Sequence, residues 1–159
     1  MKDLNSLLKI LTDSGIDFVL VGGYAATVYG SALITQDLDI CAVITKENVD
    51  KLRTCLRNYH PTHRMIPNRI SFLTHPSDVT GWNNLYLETD LGTVDVLNQI
   101  TGVGDYEKVA KNAIELKIFG QKCKVISIDD LILAKQAMGR PKDLHTIKEL
   151  EVIRAKTKK

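Results

Sequence analysis

Long apolar runs, a disulfide framework, a zinc-ligand pattern and an excess of either charge are all missing from this sequence. No stretch approaches the ~20 consecutive apolar residues that cross a bilayer. Met1-Lys2-Asp3-Leu4-Asn5-Ser6 has no basic segment leading into an apolar core, so the chain reads as cytoplasmic with no membrane contact. Cysteine is sparse: Cys41, Cys55 and Cys123 are odd in number, form no C-x-x-C and sit among apolar neighbours, which reads as reduced, packing thiols. The four histidines never stand at zinc-finger spacing from a cysteine, and His60-Pro61-Thr62-His63 reads as a turn rather than a metal pair. Aromatic residues make up only 6% of the chain; Trp82, Tyr24, Tyr29, Tyr59 and Tyr86 read as packing residues first and base-stacking ones second. With 21 Lys and Arg against 19 Asp and Glu, a polycation that coats nucleic acid is excluded. Any RNA contact needs a local patch, for which Arg53, Arg57, Arg64 and Arg69 are candidates, although Arg53 and Arg57 read first as a solvated helix face.

What is present suits one domain over 1–159, because 159 residues can bury a core without covalent staples. Leu4, Leu7, Leu8 and Leu11 predict an amphipathic helix ending at Gly15. Phe18 to Val21 predicts a strand, Gly22-Gly23 a turn, and Tyr24 to Tyr29 a helix closed by Gly30. A strand over 35–44 and a helix over 46–59 follow. Residues 60–83, punctuated by Pro61, Pro67 and Pro76, show strand character only over 69–73. Hairpins are predicted around Asp90-Leu91-Gly92 and Phe119-Gly120-Gln121, with a short helix over 106–113 between them. Ser127 is a good N-cap for a helix to about Met138; Gly139 breaks it, and Pro141 starts a last helix running into a basic tail at Lys158-Lys159. These C-terminal helices span about 127–156. The expected class is α+β, with a short mixed sheet, helices mainly on one face and the C-terminal pair extending it.

The chemistry concentrates in three aspartates. Asp37 and Asp39 stand at i and i+2 of a predicted strand, so both carboxylates share one face. Like charges so placed raise each other's pKa unless a cation intervenes, and the natural one is a hard divalent ion such as Mg²⁺. Asp95 holds the same kind of position in Thr93-Val94-Asp95-Val96-Leu97. If the two strands are neighbours, three carboxylates converge, a set able to hold two metal ions ~3.5–4 Å apart for phosphoryl or nucleotidyl transfer. A lone D-x-D is more often a solvated device on an edge strand. The strand, Gly-Gly turn and helix upstream change that weighting, because bare N–H groups at a helix start suit a phosphate.

Leu20-Val21-Gly22-Gly23-Tyr24-Ala25-Ala26, Thr35-Gln36-Asp37-Leu38-Asp39-Ile40 and 88–97 resemble the motifs of the polymerase-β-type nucleotidyltransferase superfamily. Ser127 to Lys135 with Gly139-Arg140-Pro141-Lys142-Asp143-Leu144 resembles its small members, which include toxins of abortive-infection and toxin–antitoxin systems. The likeness covers about residues 16–150. It implies a nucleotidyltransferase-like fold and transfer of NMP from an NTP to an acceptor hydroxyl of RNA, tRNA, a protein or a small molecule. It further implies Mg²⁺ or Mn²⁺ on Asp37, Asp39 and Asp95, and an antitoxin partner if the chain is a toxin. Gly22 and Gly23 would hold the triphosphate, Lys135 would approach it, and Arg140, Lys142 and Asp143 form the C-terminal cluster. Two departures stand out. The turn is Gly-Gly followed by Tyr24 where relatives usually have Gly-Ser, and Ala32-Leu33-Ile34 stands where many carry an Arg. Ser31 and Thr35 are the hydroxyls available to compensate. The alternative reading is a non-catalytic nucleotide-binding or protein-interaction module on a degenerate fold; a two-Asp phosphatase or nuclease would leave the glycine turn without a purpose.

Overall fold

The computed structural model describes residues 2–157, so the Lys158-Lys159 tail lies outside the described residues. Helix α1 (Leu4–Asp13) buries Leu7, Leu8 and Leu11, and the Asp3 carboxylate accepts the Ser6 backbone N–H at 3.0 Å as its N-cap. Strand β1 (Val19–Val21) passes directly into α2 (Gly22–Tyr29), so the helix starts at the glycines, two residues earlier than side-chain spacing predicts. The strand predicted over 35–44 is confined to β2 (Asp37–Cys41), and the following helix forms α3 (Lys46–Leu56) with a 3₁₀ turn over Arg57–Tyr59.

Residues 60–83 contribute β3 (Thr62–His63), a 3₁₀ turn over Pro67–Arg69 and otherwise turns and bends. The strand expected over 69–73 does not form: only Ser71 bridges Thr62. Phe72 is instead a buried anchor, its N–H donating to Pro61 O at 2.9 Å and its carbonyl accepting Arg53 Nε at 2.8 Å, so its backbone is satisfied outside a ladder. Trp82 and His75 close around buried His63, with ring centroids about 5.5–5.7 Å apart. This cluster assigns Trp82 to packing.

Both predicted hairpins form. β4 (Asn84–Thr89) and β5 (Gly92–Leu97) turn at Gly92, whose φ of +137° only glycine adopts readily; β8 (Ile114–Ile118) and β9 (Gln121–Val125) turn at Phe119-Gly120. A small ribbon of β6 (Gln99–Ile100) and β7 (Gly104–Asp105), absent from the sequence reading, leads into α4 (Tyr106–Asn112). Ser127 accepts the Asp130 N–H at 3.1 Å to start α5 (Ile128–Met138), Gly139 ends it in the left-handed region at φ +64°, and α6 (Pro141–Thr157) follows.

Among the described residues there are thus six α-helices and a seven-stranded mixed sheet, the α+β class expected, in the order β3-β4-β5-β2-β1-β9-β8. β2 runs parallel to β5 and antiparallel to β1, while β1 runs parallel to β9. Strand register places Val125, Leu20, Ile40, Val96 and Leu85 in one buried row across the sheet. Helix α1 packs against β2, β9 and α3, and α2 packs against β1, β2, α5 and α6. Burial of five such side chains is worth on the order of 1.5–3 kcal/mol each, which fixes the sheet that carries the opposite face. Cys41 and Cys123 are buried, Cys55 half-buried, and all three are free thiols pushed up by burial, to about 12, 11 and 11 in the order Cys41, Cys55, Cys123. No helix among the described residues is long and apolar enough to cross a membrane.

Candidate active site

The face opposite the buried row carries the aspartates. In β2, Leu38 and Ile40 point into the core while Asp37 is exposed and Asp39 half-buried on the other side. Asp95 of β5 pairs directly with Asp39, Tyr86 of β4 pairs with Asp95, and Val21 of β1 pairs with Asp39, forming one row over four strands about 4.8 Å apart. Arg64, just beyond β3, extends the row: its N–H donates to Tyr86 O at 2.8 Å. Asp37 pairs with Thr93, one step along.

Gly22 closes the row at the start of α2. Its φ is +70°, and a β-carbon there would overlap the Asp39 carboxylate, so this position needs glycine for both conformation and room. Helices α1, α3, α4 and α5 are capped by Asp3, Thr45, Asp105 and Ser127, but α2 begins at Val21 with no side-chain cap. Its first N–H groups open beside the aspartates, where the helix dipole favours an anion.

Facing this floor across a cleft of about 400 Å³ are Lys135 of α5 and Arg140 of the α5–α6 break. Both are organised by Asp143, whose side chain is 1% exposed. Asp143 Oδ1 lies 3.5 Å from Lys135 Nζ, and its two oxygens accept Arg140 Nε at 2.7 Å and Nη2 at 3.2 Å. Burial alone would raise the Asp143 pKa, but the Arg140 hydrogen bonds and the Lys135 charge outweigh it and hold the carboxyl below its usual range. Burial lowers the Lys135 pKa, opposed by Asp143.

Charge among the aspartates is less balanced. Burial, then the neighbouring Asp95 and Asp37, push Asp39 up to about 6, against the pull of Lys135 and Arg64. Burial also raises Asp95, offset by Arg64, whose Nη2 donates to both of its oxygens at 2.6 and 2.8 Å. An all-oxygen donor set made costly by mutual repulsion fits a hard divalent cation, and Asp37 with Asp39 supplies the one or two carboxylates such an ion commonly takes. Asp95 is committed to Arg64, and among the described residues no group of three His, Cys, Asp or Glu side chains is arranged to hold a metal.

Most of the remaining candidates do not line the cleft. A β-carbon at Gly23 would meet Thr35 Oγ1 at 3.0 Å, so Thr35 fills the space a side chain at 23 would need; its hydroxyl donates to Asp37 O at 3.0 Å. Ser31 is buried and donates to Glu149 Oε1 of α6 at 2.8 Å, a fastening between the loop after α2 and α6. Lys142 is exposed and does not line the cleft. The arginine patch is not assembled: Arg53 donates to Phe72 O and Pro76 O, Arg64 holds Asp95, and Arg69 pairs with Glu88. Of the aromatics considered for stacking, Tyr86 lines the cleft, whereas the Tyr24 hydroxyl donates to Asn5 and that of Tyr29 to Ile126 O. Sequence reasoning missed the pairing role of Arg64, which lies in the proline-punctuated stretch where no periodicity marks it.

No protein-family model matches the chain, and no curated protein matches it. Solved structures do. The lincosamide antibiotic adenylyltransferase LnuA, solved with lincomycin bound, is 17% identical with a TM-score of 0.62, covering 94% of this chain and 95% of its own. An antigenic nucleotidyltransferase-like protein from Paracoccidioides brasiliensis is 18% identical with a TM-score of 0.58, over 93% and 75% of the two chains. ANT(2")-Ia in complex with adenylyl-2"-tobramycin is 12% identical with a TM-score of 0.56, over 96% and 92%. The chain has the fold of nucleotidyltransferase-like proteins.

Proposed function

We propose that this protein is a nucleotidyltransferase that moves NMP from an NTP to an acceptor hydroxyl. The observation that carries the reading is the β2–β5 register, which sets Asp95 beside Asp39 on a face opposed by Lys135 and Arg140. The uncapped start of α2 at Gly22 would bind phosphate oxygens through backbone N–H groups. Lys135 and Arg140 would neutralise the rest of the triphosphate, oriented by Asp143. Asp37 and Asp39 would hold Mg²⁺ or Mn²⁺, which supplies Lewis-acid stabilisation of the phosphoryl oxygens when bound. Asp95 would accept the proton of the acceptor hydroxyl as its oxygen bonds to the α-phosphorus and the bond to the β-phosphate oxygen breaks, releasing pyrophosphate. Asn84 and Tyr86, whose side chains are hydrogen-bonded at 3.1 Å, form a neutral wall beside Asp95 for the acceptor.

The reading is supported by the fold shared with LnuA and ANT(2")-Ia, whose structures hold small-molecule acceptors or their adenylyl product. The non-catalytic alternative draws support from the Arg64–Asp95 pair, which occupies the carboxylate assigned as base. The test is incubation with Mg²⁺ or Mn²⁺ and each α-labelled NTP, offering total tRNA, cell protein, lincomycin and tobramycin as acceptors, beside an Asp39→Ala control. Transfer that vanishes in the control names nucleotide and acceptor. Nucleotide binding without transfer to any acceptor favours the non-catalytic module.

A further inference from the structure

We propose that Arg64 is a resident counter-ion that competes with a divalent cation for Asp95. On this account the resting site takes one metal ion through Asp37 and Asp39, and a second engages Asp95 only when Arg64 withdraws. The inference rests on the nucleotidyltransferase reading of the site and concerns how many cations that site admits.

One nitrogen of Arg64, Nη2, occupies both oxygens of Asp95, at 2.6 and 2.8 Å, so no carboxylate oxygen of Asp95 is left without a donor. The two ends of the arginine are held differently. Its main chain is fixed in the sheet by the N–H bond to Tyr86 O and by neighbouring His63, locked in the cluster of Phe72, His75 and Trp82. Its guanidinium lies over the Tyr86 ring, 5.6 Å from the centroid, a contact that does not itself depend on Asp95. The head is also under-used. Nη1 reaches only Met65 Sδ at 3.7 Å, and buried Nε has no hydrogen-bond partner. A guanidinium that leaves donors unpaired gives up part of its hydrogen-bonding capacity, so exchange of Asp95 for other acceptors is not opposed by a saturated network.

The other nearby cations do not duplicate this role. Lys135 and Arg140 are bound to Asp143 across the cleft. Removing Arg64 therefore leaves Asp95 beside Asp39 without its direct counter-charge, the condition under which a divalent ion binds more tightly.

The experiment titrates Mn²⁺ alone into the full chain, with free Mn²⁺ followed by electron paramagnetic resonance. Wild type, Arg64→Lys, Arg64→Gln and Arg64→Gln/Asp95→Asn are compared after circular dichroism has established that each is folded. The expected result is one weak site in wild type and in Arg64→Lys, which keeps the positive charge. Arg64→Gln should bind about tenfold more tightly or take up a second equivalent, and Asp95→Asn in that background should abolish the gain. Unchanged Mn²⁺ binding in Arg64→Gln, or a gain that survives Asp95→Asn, overturns the proposal while leaving the nucleotidyltransferase reading intact. Absence of Mn²⁺ binding in every variant, also with a non-hydrolysable ATP analogue present, overturns both.

Discussion

Gly22 and Asp39 fit together so closely that a β-carbon on the glycine would overlap the aspartate's Oδ2. Gly22→Ala should therefore displace the Asp39 carboxylate and strain a backbone at φ +70°. The expected cost is about 1–3 kcal/mol of stability, with loss of nucleotidyl transfer. Chemical denaturation alongside the label-transfer assay checks both.

Asp39 is ionised at the expense of the fold. Its carboxyl is pushed up to about 6 in the folded chain, from 3.8. The folded state then holds a proton that the unfolded state releases, so metal-free stability should fall as pH rises from about 4 to about 6 and stay low above. Asp39→Asn should be more stable than wild type in EDTA at pH 8, by roughly 2–3 kcal/mol, yet lose transfer by about 10²–10³-fold. Thermal unfolding at pH 4 and pH 8, with and without Mg²⁺, tests the sign.

Asp143 has the opposite sign. Its pKa is held down by Arg140 and Lys135, so its stabilisation is present above the ordinary carboxylate value of 3.8 and is lost as pH falls through the lowered one. Asp143→Ala leaves Lys135, only 10% exposed, as a buried charge without its partner, at an expected cost of about 3–5 kcal/mol. Equilibrium unfolding at pH 7 measures it.

Arg53 ties α3 to the turn region by donating to Phe72 O at 2.8 Å and Pro76 O at 2.6 Å. Arg53→Met keeps much of the apolar stem but drops both bonds. It should cost about 1.5–3 kcal/mol and raise amide exchange over residues 72–79. Hydrogen exchange by mass spectrometry would show whether the effect stays local.

Most of this fold is legible where apolar period and punctuation agree. Leu4 to Leu11, the Gly92 hairpin, the Ser127 cap and the Gly139 stop each combine a pattern with a residue suited to one backbone conformation. The three aspartates are legible because each alternates with core residues. Their neighbourhood follows from the strand order, which local signals do not determine. The 60–83 stretch resists such reading because its order comes from a few buried anchors, Phe72, His63 and Pro76, joined through turns. The alternation of Ile70, Phe72 and Leu73 with Arg69 and Ser71 therefore has the pattern of a strand, while the segment folds as a tethered loop. Arg64 is illegible for a related reason: an arginine's partner lies wherever the sheet brings a carboxylate, here on a strand distant in sequence.

The parallel pairing of β2 with β5 has a consequence for the chain's synthesis. A nascent polypeptide displays Asp37 and Asp39 well before Asp95 has been made, and a parallel neighbour requires a long intervening loop to close first. Lys135, Arg140 and Asp143 emerge later still. The proposed chemistry thus waits on the latest-made of these elements, because the cleft is complete only once α5 and α6 have packed against each other and against α2.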